Sequence, residues 1–227
     1  YILLIYLYKD CANNKTPTFI QSLMKIAKRM DLLGSETAFA VSAEAANLAA
    51  TGKKIFPFHL GDINLSTPNS VIKAANAAIE DGKTGYCPAP GIPELREALA
   101  NDVGSARGIQ YDIDNVSVQP GGKPSIGKYI AAMMEKGDSV LYPNPGYPIY
   151  ESQIEFYKGI AVPYGYINTP EGLEMDFKAI EKGVENGAKH IFYNNYNNPT
   201  GASSSDNEIE RLAKLVIKKE LFWSDNP

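Results

Sequence analysis

The sequence predicts an α/β fold, a layered domain on a largely parallel sheet. Three observations lead there. From Asn115 onward, short apolar stretches alternate with longer segments of helical periodicity. The apolar stretches, such as Val140-Leu141-Tyr142 and His190-Ile191-Phe192, have no polar face, as expected for strands covered on both sides. Finally, unusual residues gather in the turns after those stretches, where ligands sit in such sheets.

Taken in order, "SETAFAVSAEAANLAATGKK" is Ala-rich, with Ser35 or Thr37 as N-cap and Gly52 as stop, and reads as a helix. "IFPFHLGD" follows as a short strand-like segment. "NSVIKAANAAIEDGK" sets Val71, Ile72, Ala75, Ala78 and Ile79 on one helical face and ends near Gly82. "GIPELREALANDVG" starts a helix with Pro93 at its first position. Then "NVSVQ" reads as a strand, "GGK" as a turn and "PSIGKYIAAMMEKG" as a helix. "SVLYP" is a strand, and "NPGYPIYESQIEFYKG" a turn leading into a helix. "IAVPYGY" is a strand, "MDFKAIEKGVENGA" a helix and "KHIFYNN" a strand. "SDNEIERLAKLVIKKE" is a helix with a capping box from Ser205 and Glu208, and "LFWSD" the last strand.

The composition is that of an ordinary globular chain: 227 residues, 44% hydrophobic and 21% charged. A net charge of −4 gives no electrostatic reason to expect nucleic acid or an anionic membrane as partner. The two cysteines, Cys11 and Cys87, lie far apart without metal-ligand spacing, which fits a reducing, cytoplasmic setting. The opening "YILLIYLY" is apolar but much shorter than the roughly twenty residues a bilayer span needs. It also lacks the flanks of a signal peptide. With no initiator Met and an end soon after a strand, both termini read as cut.

Four strand-end turns carry candidate chemistry. Gly121-Gly122-Lys123 opens a helix whose free N–H groups can face an anion, or is simply a tight turn that needs glycine. It is not a Walker loop, because Ser117 stands where the first glycine belongs and Pro124 where a Ser or Thr does. Tyr147, between Gly146 and Pro148, either presents a ring for a flat cofactor or packs into its own turn. Asn198 precedes Pro199, which restricts it to extended geometry and aims its amide, although every residue of Asn-Asn-Pro-Thr-Gly also favours turns. Asp225 is a surface or capping residue, or a carboxylate for a heterocyclic nitrogen.

The anchors "TGYCPAPGIPELREAL", "VQPGGKPS", "YPNPGYPIYES" and "YNNYNNPTG" together resemble the class I/II aminotransferases, pyridoxal 5'-phosphate (PLP) enzymes of fold type I. The likeness runs from near Leu32 to the end. It implies a three-layer α/β/α PLP-transferase-like large domain with a mostly parallel sheet, truncated at its C-terminus. It also implies roles: Gly121, Gly122 and Lys123 for the cofactor phosphate, Tyr147 stacked on the ring, Asn198 donating to the 3-oxygen, and Asp225 beside the ring nitrogen. Tyr86 matches a tyrosine that reaches the partner subunit's cofactor phosphate in a homodimer, and Gly61 a glycine of the substrate carboxylate pocket. The division implied is residues 1–54 as N-terminal arm and partial small domain, and 55–227 as an incomplete PLP-binding large domain.

The likeness has departures. "GDINL" replaces a Gly-Glu-Pro-Asp-Phe-like stretch at Gly61, which leaves the amino acid handled open. The family's PLP-binding lysine follows the strand-end Asp by some tens of residues, a position beyond this sequence; Ser125-Ile126-Gly127-Lys128 mimics its context but lies on the phosphate-loop helix. The expectation is therefore an aminotransferase moving an amino group between an amino acid and a 2-oxo acid, inactive as this segment alone. Another fold-type-I PLP enzyme, such as a C–S β-lyase, and a non-catalytic truncated relative are the alternatives. No metal site is expected.

Overall fold

The structure, a computed structural model, describes residues 27–33, 37–58, 61 and 65–225. The chain divides into two compact units. One holds residues 37–133 together with 224–225, the other residues 27–33 and 134–223.

The first unit is helical. Helix α1 spans Thr37–Ala50, α2 Asn69–Glu80, α3 Pro93–Arg107 and α4 Gly122–Met133. Pro93 takes the first turn of α3, where its missing N–H costs nothing, and Gly108 ends that helix in the left-handed conformation with φ 65°. The periodicity of α2 is present, but Val71, Ile72 and Ile79 are exposed. Two strand assignments need correction. "NVSVQ" is extended at Val116 yet joins no ladder among the described residues; a single 3-10 turn, Ile113–Asn115, precedes it. Its backbone groups find other partners. Val118 N–H donates to Pro90 O, and the Arg96 guanidinium donates to Val116 O at 2.8 Å and Ile113 O at 2.5 Å. The described part of "IFPFHLGD" is likewise a loop, while His59, Leu60 and Asp62 lie outside the described residues.

The second unit contains the sheet as far as Trp223 of its last strand. Strands β1 (Ser139–Pro143), β2 (Ile160–Tyr164), β5 (Ala188–Tyr193) and β6 (Phe222–Asp225) lie in the order β2-β1-β5-β6, while β3 (Tyr166–Thr169) and β4 (Gly172–Met175) form a separate antiparallel pair. β1 runs parallel to β2, with Leu141 opposite Val162, and parallel to β5, with Leu141 opposite Ile191. Helices α5 (Ile149–Phe156), α6 (Phe177–Glu185) and α7 (Asp206–Lys219) connect the strands. The apolar runs predicted as β1 and β5 are buried along almost their whole length, as parallel strands covered on both faces must be. Leu141, Ile180, Ile191 and Leu212 are wholly buried and join the inner faces of β1, α6, β5 and α7. Each such side chain contributes roughly 1.5–3 kcal/mol through burial. At Gly183 the helix comes so near β1 that an added Cβ would lie 2.6 Å from Leu141 Cδ2.

The predicted strand over Ile160–Tyr166 breaks at Gly165, whose carbonyl accepts from Asp176 N–H. The β3–β4 hairpin that follows went unassigned in the sequence. Its signal was there: a Pro-Glu-Gly turn between Ile167 and Leu173, with Gly172 at φ 129°. Both halves of the α7 capping box form, with the Ser205 side chain accepting from Glu208 N–H and the Glu208 carboxylate from Ser205 N–H.

Candidate functional site

The candidate residues divide between the two units. In the helical unit, Gly121 has φ 98°, a conformation few side-chain-bearing residues adopt, and delivers the chain into α4 with Gly122 as its first residue. Gly121 is exposed with open space around it, so an anion can approach the helix start. The turn is supported from behind: Lys128 of α4 donates to Gln119 Oε1, and Gln119 Nε2 donates to Ser117 Oγ at 2.8 Å. This places Lys128 as a brace of the glycine turn. Tyr86 stands fully exposed; Gly61 is exposed, and an added Cβ there would meet nothing within 4 Å.

In the sheet unit, Tyr147 and Asn198 sit on the loops that leave the carboxyl ends of β1 and β5. These strands are adjacent and parallel, so the loops emerge side by side. Tyr147 is half-buried and meets Tyr150 edge-on, with ring centres 6.0 Å apart. Tyr150 is completely buried and stacks on Phe192 of β5 at 4.8 Å. The loop turns sharply at Gly146, where an added Cβ would lie 1.9 Å from Pro143 O.

The asparagine-rich turn after β5 uses most of its amides internally. Asn194 Oδ1 accepts from Asn198 N–H at 2.9 Å, and Asn195 Oδ1 accepts from Ser204 N–H at 3.1 Å. Asn197 is 2% exposed; its Nδ2 donates to Pro145 O at 3.1 Å and to Thr200 Oγ1 at 2.9 Å. The side chain of Asn198 is exposed and makes no hydrogen bond among the described residues. Sequence reasoning selected Asn198 and missed the structural part of Asn197, which no local pattern reveals because its partner Pro145 is 52 residues away.

Buried tyrosines surround this end of the sheet. Tyr164 O–H donates to Phe192 O at 2.9 Å, and burial holds its phenol well above the usual tyrosine value. Burial also raises Tyr166, and burial together with the nearby Glu151 carboxylate pushes Tyr142 up to about 12. All three stay protonated near neutrality, Tyr164 as a fixed donor to Phe192 O and Tyr166 as a partly buried packing group. Asp225 closes β6, two residues beyond Trp223, whose ring meets Tyr193 edge-on at 5.6 Å. At the opposite, amino-terminal end of β5, His190 is buried against Phe222 and lies 3.7 Å from Asp138, a packing position away from these loops. The described residues contain no cluster of His, Cys, Asp and Glu suited to a metal ion, and no helix long and apolar enough to cross a membrane.

Comparison with known proteins turns this arrangement into a family. The model of the aminotransferases of class I and II matches residues 53–223, three quarters of the chain. The chain belongs to that family. A probable aspartate/prephenate aminotransferase of Aquifex aeolicus is 30% identical over 197 residues, covering 87% of this chain and 50% of that protein. The aspartate/prephenate aminotransferase of Thermus thermophilus is 29% identical, covering 87% and 51%. Among solved structures, alanine aminotransferase of Pyrococcus furiosus superposes with a TM-score of 0.82 at 27% identity, over 88% of this chain and 51% of that one. Thermus thermophilus aspartate aminotransferase with maleate gives 0.81 at 28% identity, over 89% and 53%. The expected aminotransferase fold, α/β with a mostly parallel sheet, is therefore present, and the chain spans about half the length of the curated relatives it matches.

Proposed function

We propose that this chain is the cofactor-cradling part of a PLP-dependent aminotransferase that moves an amino group between an amino acid and a 2-oxo acid. The observation that carries the reading is the pair of loops after β1 and β5. They stand side by side at the carboxyl end of the sheet and offer an aromatic ring, Tyr147, and an unengaged amide, Asn198. Those groups fit PLP in kind: a flat ring to stack on Tyr147 and a phenolic oxygen to accept from Asn198. The glycine-opened start of α4 suits its phosphate.

When bound, the cofactor supplies a ring that withdraws electrons from the amino-bearing carbon. The residues would bind and tune it. Of the Gly121, Gly122 and Lys123 turn, the backbone N–H groups of Gly122 and Lys123 would hold the phosphate, while Gly121, whose N–H donates to Gln119 O at 2.8 Å, would shape the turn. Tyr86 would serve the partner's site in a homodimer. Tyr147 would cover one ring face and limit its tilt. The Asn198 amide would donate to the 3-oxygen and favour its ionised form. The Asp225 carboxylate would keep a proton on the ring nitrogen by opposite charge. Gly61 would line the substrate carboxylate pocket. The 1–54 and 55–227 division and a cytoplasmic location belong to the same reading. The aspartate, prephenate and alanine names of the relatives make those amino acids and their 2-oxo partners the first to test.

Titration with PLP tests this directly, followed by absorbance and by quenching of Trp223, the chain's one tryptophan. Saturable binding is expected, weakened about two- to tenfold by Tyr147→Ala, the value of one aromatic contact. Binding that ignores both Tyr147→Ala and Asn198→Ala refutes the site.

A further inference from the structure

We propose that Asn197 is a positioning residue: it clamps the Tyr147 loop to the Asn198 turn and so sets the spacing of the two groups offered to the cofactor. This rests on the PLP reading above. The clamp is anchored at one end by backbone. Asn197 N–H donates to Ala202 O at 2.9 Å, and Asn197 O accepts from Gly201 N–H at 2.7 Å, so the residue is built into its turn. Its side chain then reaches out to Pro145 O. Both N–H groups of the amide are used, one on Pro145 O and one on Thr200 Oγ1. Asn197 Oδ1 accepts nothing among the described residues. The amide orientation is fixed because Pro145 O can only accept. The connection therefore runs wholly through Nδ2.

Tyr147 follows Pro145 by two residues, across the tight Gly146 turn where Pro143 O leaves no room for a Cβ. Movement of Pro145 is consequently passed on to Tyr147 rather than absorbed. On the other side, Asn198 is the next residue in the chain, and its N–H is pinned to Asn194 Oδ1. One buried amide thus ties the backbone two residues before the ring to the backbone one residue before the donor. Tyr150 supports Tyr147 from Phe192, so the ring keeps a second brace and the effect of losing the clamp is partial. Asn197 itself is 98% buried while Pro145 and Thr200 are exposed, so the two bonds are shielded from water on the Asn197 side.

The test uses the 227-residue chain and Asn197→Leu, close to asparagine in shape but without donors. Hydrogen exchange without cofactor reads the clamp by itself. The amides of Gly146, Tyr147, Ile149, Tyr150, Asn198 and residues 200–202 are expected to exchange about three- to tenfold faster, as loss of one hydrogen bond implies, with α6 unchanged. Unchanged exchange at 146–150 overturns the proposal. With PLP, the dissociation constant is expected to rise about three- to tenfold. The pH midpoint of the bound cofactor's absorption should also move upward, as it should in Asn198→Ala, since a misplaced amide no longer favours the ionised 3-oxygen. Lower stability with an unmoved midpoint overturns positioning and leaves a merely structural residue. Faster exchange in a chain whose wild type binds no PLP overturns the cofactor role together with the reading it rests on. Should Asn197→Leu fail to fold, Thr200→Val removes one of the two acceptors at an exposed position. Smaller shifts in the same readouts then support the clamp, and none overturn it.

Discussion

Glu208→Ala is expected to destabilise the sheet unit by about 2–4 kcal/mol, far more than a helix-surface substitution. Glu208 is 8% exposed and accepts from two directions. Oε2 takes Ser205 N–H at 2.9 Å and Ser205 Oγ at 3.0 Å, completing the capping box of α7. Oε1 takes Met175 N–H at 2.8 Å, the last residue of β4. Loss of the cap costs about 1 kcal/mol. Leaving the buried Met175 N–H without an acceptor costs a further 1–3 kcal/mol or so. Glu208→Gln keeps a single oxygen, which can serve Met175 or Ser205 but not both, so an intermediate loss of about 1–2 kcal/mol is expected. The assay is urea unfolding followed by Trp223 emission, because Trp223 lies in the same unit, against Tyr193. Adding Ser205→Ala to Glu208→Ala should cost less than it does alone, since the two share one contact. A Glu208→Ala loss below about 1 kcal/mol, or strict additivity with Ser205→Ala, refutes the argument that one carboxylate joins the helix cap to the hairpin.

Gly146→Ala should cost about 1–3 kcal/mol in the same assay and weaken PLP binding, because Pro143 O is backbone and cannot step aside for a Cβ at 1.9 Å; wild-type behaviour would show a looser loop. Stability should also fall in two steps on acidification. Burial holds the His190 imidazole below its usual value, only partly offset by Asp138, so the unfolded chain binds the extra proton first and stability declines as pH drops below about 6.5. The hydrogen bond from Lys189 at 2.7 Å holds the Asp138 carboxyl below its usual value, so a second decline begins below about 3.8. His190→Gln should lack the upper step in urea midpoints measured against pH; a flat wild-type profile between pH 7 and 5 would refute it.

The helices were legible because their signals are local. Pro93 at a first turn and the Ser205–Glu208 box each act within a few residues, and each appears as read. β1 and β5 were legible for a different reason: a strand buried on both faces has to be apolar throughout. "NVSVQ" instead alternates apolar with polar residues, the other strand pattern, and there the reading failed. Strand composition favours extended backbone, but a ladder also needs a neighbour. The carbonyls of Ile113 and Val116 belong instead to Arg96, and Val118 N–H to Pro90. The β3–β4 hairpin escaped because its two strands have four residues each, too few for alternation to stand out, and one begins just past the break at Gly165.

The asparagines mark where a motif stops and three-dimensional accounting begins. Residues 194, 195, 197 and 198 offer four identical side chains, and nothing in their order says which one should face a ligand. The structure separates them by satisfaction. Asn194 and Asn195 accept from N–H groups of their own turn, and Asn197 spends both amide hydrogens on Pro145 and Thr200. Only Asn198 keeps an exposed amide without a partner among the described residues. Three amides left unpaired in a buried turn would each cost about 1–3 kcal/mol, so the internal bonds of the other three are a condition of the turn's existence. The one amide with no internal task is also the one that the family likeness assigns to the cofactor. That agreement comes from hydrogen-bond supply and demand, independently of the motif, and it makes Asn198→Ala the substitution that should weaken PLP binding while leaving the fold of the turn intact.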